Sequence, residues 1–533
     1  MRSFMAAAVS VLALAATAFA DVSLPSILSD NMVLQRGVKC SIWGNAQAGE
    51  KVSVTFGKVQ AEAQADEKGA FKVELPAMEA NSQGQDLVVK GSSTVTLKNV
   101  LVGEVWVCSG QSNMQWQVAN LKDRTNVIKN ASRPTIRLLD VPRNAHSGPM
   151  ETMKAKWVEC SPQTIPTFSS VAYFFGCKLN DDLKVPVGLI SSNWGGTGIQ
   201  CWIPVDSMEN DPALADLEKW RQRDLKAYPE DSRKSKEQLA AWTAATQAAA
   251  ATQPAATLPA RPRGTPNPAF YFGAMYNGMI SPLTQYQVGG AIWYQGEANT
   301  TNPAAYLRWQ TAMIGSWRKA WGREDLPFVY VQLANFMKRK DDPNAPSSWA
   351  QLRQAQLQTL AVPNTAMAVA IDVGDAGTIH PDDKVSVGNR LALAAMAIAC
   401  GKKIEYMGPI YKAITVEDGG VRVSFTHLGD GLVARGDAVK ADALKDDAVK
   451  GDTVKGDTLK GFAVAGQDMK FVWAQAKIDG DTVVVSSDKV ASPVAVRYAY
   501  GDNPECNLYN KAGLPASPFE AILPSATSKP AGK

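Results

Sequence analysis

The stretch VGEVWVCSGQSNMQW, residues 102–116, decides the fold. Val102, Val105, Trp106, Val107 and Cys108 make a short apolar run rich in β-branched and aromatic residues, which is how a buried strand reads. The run stops at Ser109-Gly110-Gln111-Ser112-Asn113, where small and amide residues call for a tight turn. In an open α/β sheet, ligands bind at the carboxyl edge of the strands, and the turn puts Ser112 at that edge. A serine among backbone N–H groups can act as a nucleophile whose oxyanion those donors hold. The G-x-S-x-G elbow of α/β-hydrolases is not met, because Met114 stands where its last glycine belongs. Taken alone, the stretch reads better as a plain strand-ending turn.

Three further strand ends lie downstream. From Gly103 onward, strands alternate with helix-length segments, the pattern of a parallel sheet with crossovers. Phe168–Leu183 has helical spacing, and the strand Val187–Ile190 then runs into Ser191-Ser192-Asn193-Trp194-Gly195-Gly196-Thr197-Gly198. Glycines at a strand's end let backbone N–H groups approach a ligand closely, although a simple loop would look the same. The strand Gly290–Tyr294 ends in Gln295-Gly296-Glu297-Ala298-Asn299. A buried amide there could donate to an oxyanion, or the group could merely cap the next helix. The strand Met367–Val373 leads through Gly374-Asp375-Ala376-Gly377-Thr378-Ile379-His380-Pro381 into a helix expected over 382–399. Of the three histidines, His146, His380 and His427, only His380 follows a buried strand and precedes a helix. A serine nucleophile needs a base of near-neutral pKa, which singles out His380. No His, Cys, Asp or Glu cluster has metal-ligand spacing, so no metal is expected.

These four strand ends, in this order, resemble the sialate O-acetylesterase-like carbohydrate esterases of the SGNH-hydrolase superfamily. The carrying residues are Gly110-Gln111-Ser112-Asn113-Met114, Trp194-Gly195-Gly196-Thr197, Trp293-Tyr294-Gln295-Gly296-Glu297-Ala298-Asn299, and Ile379-His380-Pro381 with Lys384. Asp30-Asn31-Met32-Val33-Leu34-Gln35 near the front and Asn507-Leu508-Tyr509-Asn510 near the end extend the likeness over nearly the whole chain. The resemblance implies an α/β, SGNH-hydrolase-like parallel-sheet core flanked by N-terminal and C-terminal β domains. It further implies a serine esterase that removes O-acetyl groups from a sugar without a cofactor. Ser112 would be the nucleophile and His380 its base. The Ser112 N–H, the Gly195-Gly196 backbone and an amide of Gln295 or Asn299 would form the oxyanion hole. Sialate is the first substrate implied, acetylated xylan or another polysaccharide the second, and a catalytically silent sugar-binding protein on the same fold the rival class.

The superfamily often places the triad acid three residues before the histidine, a position held here by Gly377. Asp375 is the chosen acid, since the Ala376-Gly377 turn could fold it back onto the imidazole. Asp372 and Glu297 are the other candidates, and a Ser–His dyad with no acid is the alternative. Glu297 is also a candidate substrate contact. Trp202, just after the glycine loop, could stack on a sugar ring or sit in the core.

The flanks complete the layout. Residues 1–20, one early Arg and an apolar stretch ending Ala18-Phe19-Ala20, read as a signal peptide, which implies export to the periplasm or beyond with no membrane span once it is removed. Residues 21–101 carry short alternating runs separated by turn signals, an accessory β-sandwich. Residues 102–403 form the esterase region, with an insertion at 206–268 that is polar and helical first and rich in Ala, Thr and Pro from Thr243. It reads as a surface excursion in preference to a flap over the site. Residues 404–533 return to β patterns, a second β region placed beside the front one. They are interrupted at 436–460 by the repeat GDAVK, ADALK, DDAVK, GDTVK, GDTLK, whose lysines offset its aspartates and argue against calcium. The net charge of +4 over 533 residues gives no basis for nucleic-acid binding. Seven scattered cysteines leave at least one unpaired; Cys160 with Cys177 or Cys201 is the conceivable bridge, and buried thiols are the alternative.

Overall fold

The structure, a computed structural model, describes residues 21–250, 261–262, 264, 267–417, 419–436 and 458–523. The expected signal at 1–20, nearly all of the 436–460 repeat and most of the Ala/Thr/Pro-rich stretch beyond residue 250 lie outside the described residues.

The runs Thr94–Leu97 and Val102–Cys108 are parts of one strand, β1 (Thr94–Gly110), 17 residues long. Its first part pairs antiparallel with the strand Asn81–Lys90 of the front region, and its last part enters the central sheet. The division drawn between residues 101 and 102 therefore falls inside a continuous strand. In the front region, Val52, Val54 and Phe56 alternate inward along Lys51–Phe56, and Phe71, Val73 and Leu75 do so along Ala70–Leu75. The period of two is that of a half-buried strand.

The other strands of the central sheet are β2 (Arg133–Asp140), β3 (Val158–Cys160), β4 (Val187–Asn193), β5 (Gly290–Tyr294), β6 (Phe328–Gln332) and β7 (Thr365–Val369). Their spatial order is β7-β6-β5-β1-β4-β2-β3, and all pairs except β2–β3 are parallel. After β1 the chain builds one side through β2 and β4, then crosses to build the other through β5, β6 and β7. A crevice at the carboxyl ends opens where the direction reverses, beside β1.

Helices cover both faces. Besides a short α1 (Ser112–Gln115), they are α2 (Ser170–Leu183), α3 (Pro303–Trp321), α4 (Ser348–Gln358) and α5 (Lys384–Cys400). Trp106 packs edge-on against Phe175 of α2, while Trp293 packs against Trp317 of α3. Trp293 is in register with Ser109, an odd number of residues from Trp106, so the two tryptophans point to opposite faces. α2 packs on α5, and α3 on α4.

In the insertion the helix Ala215–Ala250 runs past Thr243, longer than the sequence suggests. Its first turns are anchored where Trp220 meets Phe272 and Trp309 and Asp216 pairs with Arg308. Among the described residues, the C-terminal strands form two four-stranded antiparallel sheets and one two-stranded pair. They pack on the core through α4, where the fully buried Arg353 donates to the carbonyls of Leu333, Ala334, Gly501 and Asp502. All seven cysteines are free thiols, without a Cys160 bridge. No helix among the described residues is long and apolar enough to cross a membrane.

Candidate active site

β1 ends at Gly110, whose φ is +140°, and a Cβ there would lie 2.1 Å from the Tyr294 carbonyl oxygen. Only glycine lets the chain turn so close to β5. Ser112 follows as the first residue of α1, half-buried, where N–H groups of the first turn have no intrahelical acceptor. The turn after β7 carries His380. The Asp383 side chain, accepting from the Ser386 N–H, then caps α5, so the helix starts at Lys384.

His380 Nε2 stands 2.9 Å from Ser112 Oγ, although 267 residues separate them in the chain. The Trp116 ring stacks on the imidazole, centroids 4.9 Å apart and planes at 23°. Burial and the nearby Lys384 ammonium hold the His380 pKa below its ordinary 6.5. His146 contacts Gly148 and His427 contacts Glu405, each in its own region.

None of the candidate acids reaches His380. Asp375 Oδ1 accepts the Gly377 N–H at 2.7 Å, so its carboxylate closes its own turn in place of steadying the imidazole. Asp372 is held by Arg390 in a two-pronged pair at 2.6 and 2.7 Å and also accepts from the Tyr509 hydroxyl. Glu297 Oε1 accepts from Asn113 Nδ2 at 2.5 Å. Among the described residues nothing hydrogen-bonds to His380 Nδ1.

The expected oxyanion donors divide. Gly195 lies against the serine, where a Cβ on it would come 3.2 Å from Ser112 Cβ, but its N–H is given to Gln115 Oε1 at 2.6 Å. Gly196 is exposed with φ +76°. Gln295 and Asn299 are not directed at Ser112. Gln295 Nε2 donates to Asn299 Oδ1 and the Thr197 carbonyl, and Asn299 Nδ2 donates to Gln200 Oε1. Both amides are buried and used to tie the loop after β5 to the glycine loop. Trp202 is likewise core, fully buried edge-on against Trp293, with its Nε1 donating to Thr197 Oγ1. Glu297, 8 % exposed, does not line the cleft either.

The cleft over the serine has a volume of about 620 Å³ and is lined by Ser112, His380, Gln115, Trp116, Trp194 and Arg143, among others. Arg143 is the one formally charged residue of that lining apart from the histidine. The sequence reading missed it: it lies in the loop after β2, and nothing local marks it. Trp194 adjoins the strand-end glycine Gly195 and Trp116 lies four residues after Ser112, which is the signal the sequence carries for them. Among the described residues no three His, Cys, Asp or Glu side chains are grouped to hold a metal ion.

Comparison with known proteins bears on this geometry. The family model for carbohydrate esterases described as sialic acid-specific acetylesterases matches residues 263–397, which include Glu297, His380 and Lys384 and begin after Ser112. The chain is 28 % identical to the sialate O-acetylesterase of Pongo abelii, covering 93 % of this chain and 92 % of that one. It is 29 % identical to the sialate O-acetylesterase of Mus musculus over 73 % of this chain and 76 % of that one. Among solved structures, a carbohydrate acetylesterase from Xanthomonas citri superposes with a TM-score of 0.76 at 33 % identity, over 94 % of this chain and 99 % of that one.

Proposed function

This chain belongs to the sialic acid-specific acetylesterase family of carbohydrate esterases, a carboxylic ester hydrolase acting on an acetylated sugar, and from that premise we propose that it is a sialate O-acetylesterase working through a Ser112–His380 dyad. The observation that carries the mechanism is the 2.9 Å contact between His380 Nε2 and Ser112 Oγ at the mouth of the cleft. Neutral His380 takes the serine proton as Oγ adds to the acetyl carbonyl carbon. The Ser112 N–H and the glycine-loop amides receive the oxyanion. Gly195 can donate once Gln115 moves aside, and Gly196 is free to donate without that step. The tetrahedral adduct collapses, its C–O bond to the sugar breaks, and His380 returns the proton to the leaving sugar oxygen. Water, deprotonated by His380, then attacks the acetyl-serine and releases acetate.

Arg143 supports an anionic sugar over a neutral one, because a guanidinium in the lining can pair with a carboxylate in a two-pronged bond. The order of the four loops supports the SGNH-hydrolase arrangement. The layout of an export signal at 1–20, a front β region, an esterase core and a C-terminal β region belongs to the same reading.

The test is acetate release by the wild-type protein and Ser112→Ala, side by side, on O-acetylated sialic acids and acetylated xylan. Release from sialic acids that disappears in the variant is expected. Release from xylan alone would keep the serine mechanism and move the substrate to a neutral polysaccharide. Undiminished release by a folded Ser112→Ala would sink the mechanism.

A further inference from the structure

An amide, an ammonium and a carboxylate stand buried behind the serine–histidine pair. Asn113 is 1 % exposed, Lys384 0 % and Glu297 8 %. Lys384 Nζ donates to Asn113 Oδ1 at 2.6 Å, and Asn113 Nδ2 donates to Glu297 Oε1 at 2.5 Å and to the Ile379 carbonyl at 3.0 Å. An ammonium has donors and no acceptor, so the Lys384 contact decides which end of the Asn113 amide is oxygen. Both amide N–H bonds are thereby turned toward Glu297 and Ile379. The Ile379 carbonyl belongs to the peptide unit that carries the His380 nitrogen. Asn113 directly follows the nucleophile in the chain and holds the backbone directly preceding its base.

The surroundings fit a working role better than a packing one. Two opposite charges out of water cost desolvation energy that an apolar pair would not. Glu297 Oε2 is buried with no partner, as is the Tyr294 hydroxyl. Lys384 Nζ lies 5.8 Å from the centroid of Trp116, the ring stacked on His380, and 5.6 Å from that of Tyr294. Glu297, Asp382 and Asp383 are the acidic groups acting on Lys384, and burial outweighs them, lowering its pKa to about 7. The charged groups near His380 are Lys384 and, in the cleft, Arg143.

We propose that Asn113 is a positioning residue for His380, oriented by Lys384 and Glu297, and that this buried clamp supplies the orienting part of an acid's work in a serine triad without stabilising the imidazolium. The inference rests on Ser112 and His380 being the reacting pair. The clamp fixes the histidine by its backbone, leaving Nδ1 unbonded within the protein.

The experiment follows hydrolysis of a small aryl acetate, with active serines counted by stoichiometric reaction with an aryl phosphonate, so that misfolded protein is left out of the rate. In Lys384→Met, kcat per active serine is expected to fall at least fivefold with KM within twofold. The acid limb of kcat/KM is expected to move to higher pH, because a cation that disfavours the imidazolium is gone. Asn113→Ala is expected to fall similarly, and the double variant no further than the worse single, as for residues acting as a unit. A smaller fall per active serine, or losses that multiply in the double variant, would overturn the clamp. If Lys384→Met does not fold, Glu297→Gln, which keeps an acceptor for Asn113, should retain more kcat per active serine than Glu297→Ala; equal losses would overturn it. Should Ser112→Ala keep the wild-type rate, the failure lies in the dyad and not in the clamp.

Discussion

The Asp375 carboxylate accepts the Gly377 N–H at 2.7 Å, a bond that folds its turn shut two residues ahead and leaves the imidazole of the same loop without an acid. Asp375→Asn keeps an oxygen for that N–H. It should therefore lower kcat by less than tenfold, a barrier change under about 1.4 kcal/mol. Steady-state kinetics on an aryl acetate decide this, and a loss of several orders of magnitude would restore Asp375 as the triad acid.

In the proposed mechanism His380 must be neutral to take the serine proton. Its pKa is held below 6.5 by burial and by Lys384. Activity should therefore rise with pH through a midpoint below 6.5. A pH profile of kcat/KM in the free enzyme checks the sign; a midpoint above 6.5 would contradict it.

Much of this arrangement is legible in the chain itself. The four strand ends announce themselves because a buried strand is a run of apolar residues and its loop is not, so Ser112, Gly195, Glu297 and His380 all fall on one sheet edge. Which of their atoms meet is a matter of three-dimensional direction, and local sequence carries none. Gln295 and Asn299 have the chemistry of oxyanion donors, but their amides are consumed by neighbours far away in the chain, Thr197 and Gln200. Trp202 is likewise decided by Trp293, across the core. Arg143 was invisible for the opposite reason: an arginine in a polar loop is unremarkable until the loop is folded over a serine. The long β1 strand does not show as one in the sequence because polar residues at 98 and 99 interrupt its apolar pattern where the strand passes between sheets.

Lys384 also makes stability depend on pH. Its pKa is about 7 when folded, against an ordinary 10.5. Between those values the unfolded chain binds more protons than the folded one, so stability rises with pH across this window, by at most about 1.4 kcal/mol per pH unit. Urea unfolding of wild type and Lys384→Met at pH 7 and pH 9 should show the wild type gaining on the variant. A difference independent of pH would place the lysine in a better-solvated setting.

Arg143→Gln should raise KM for an O-acetylated sialic acid by about tenfold or more, the loss of a charge-assisted bond of roughly 1.5–3 kcal/mol. The ratio of kcat/KM for the sialic acid over that for a neutral acetylated sugar should fall accordingly. An unchanged ratio would mean that the cleft does not read the carboxylate through this residue.

Gly110→Ala should cost about 3 kcal/mol or more, since it combines a φ of +140° with a Cβ 2.1 Å from a backbone oxygen that cannot move aside. Denaturant melts measure it. Gly37→Ala, at φ +73° with open space around the site, serves as the milder comparison.

The 17-residue strand β1 has a consequence for how the molecule yields. A domain joined by a linker can swing, be clipped away by a protease or be exchanged for another. Here the front sheet and the sheet that carries Ser112 share one unbroken backbone, with the front strand Val33–Gln35 also laid in parallel register along residues 101–103. The front region is thus the root of the strand that leads to Ser112. It cannot hinge over the cleft as a lid, it offers no joint to cut at residue 101, and its loss would pull the strand that positions Ser112 out of alignment from behind.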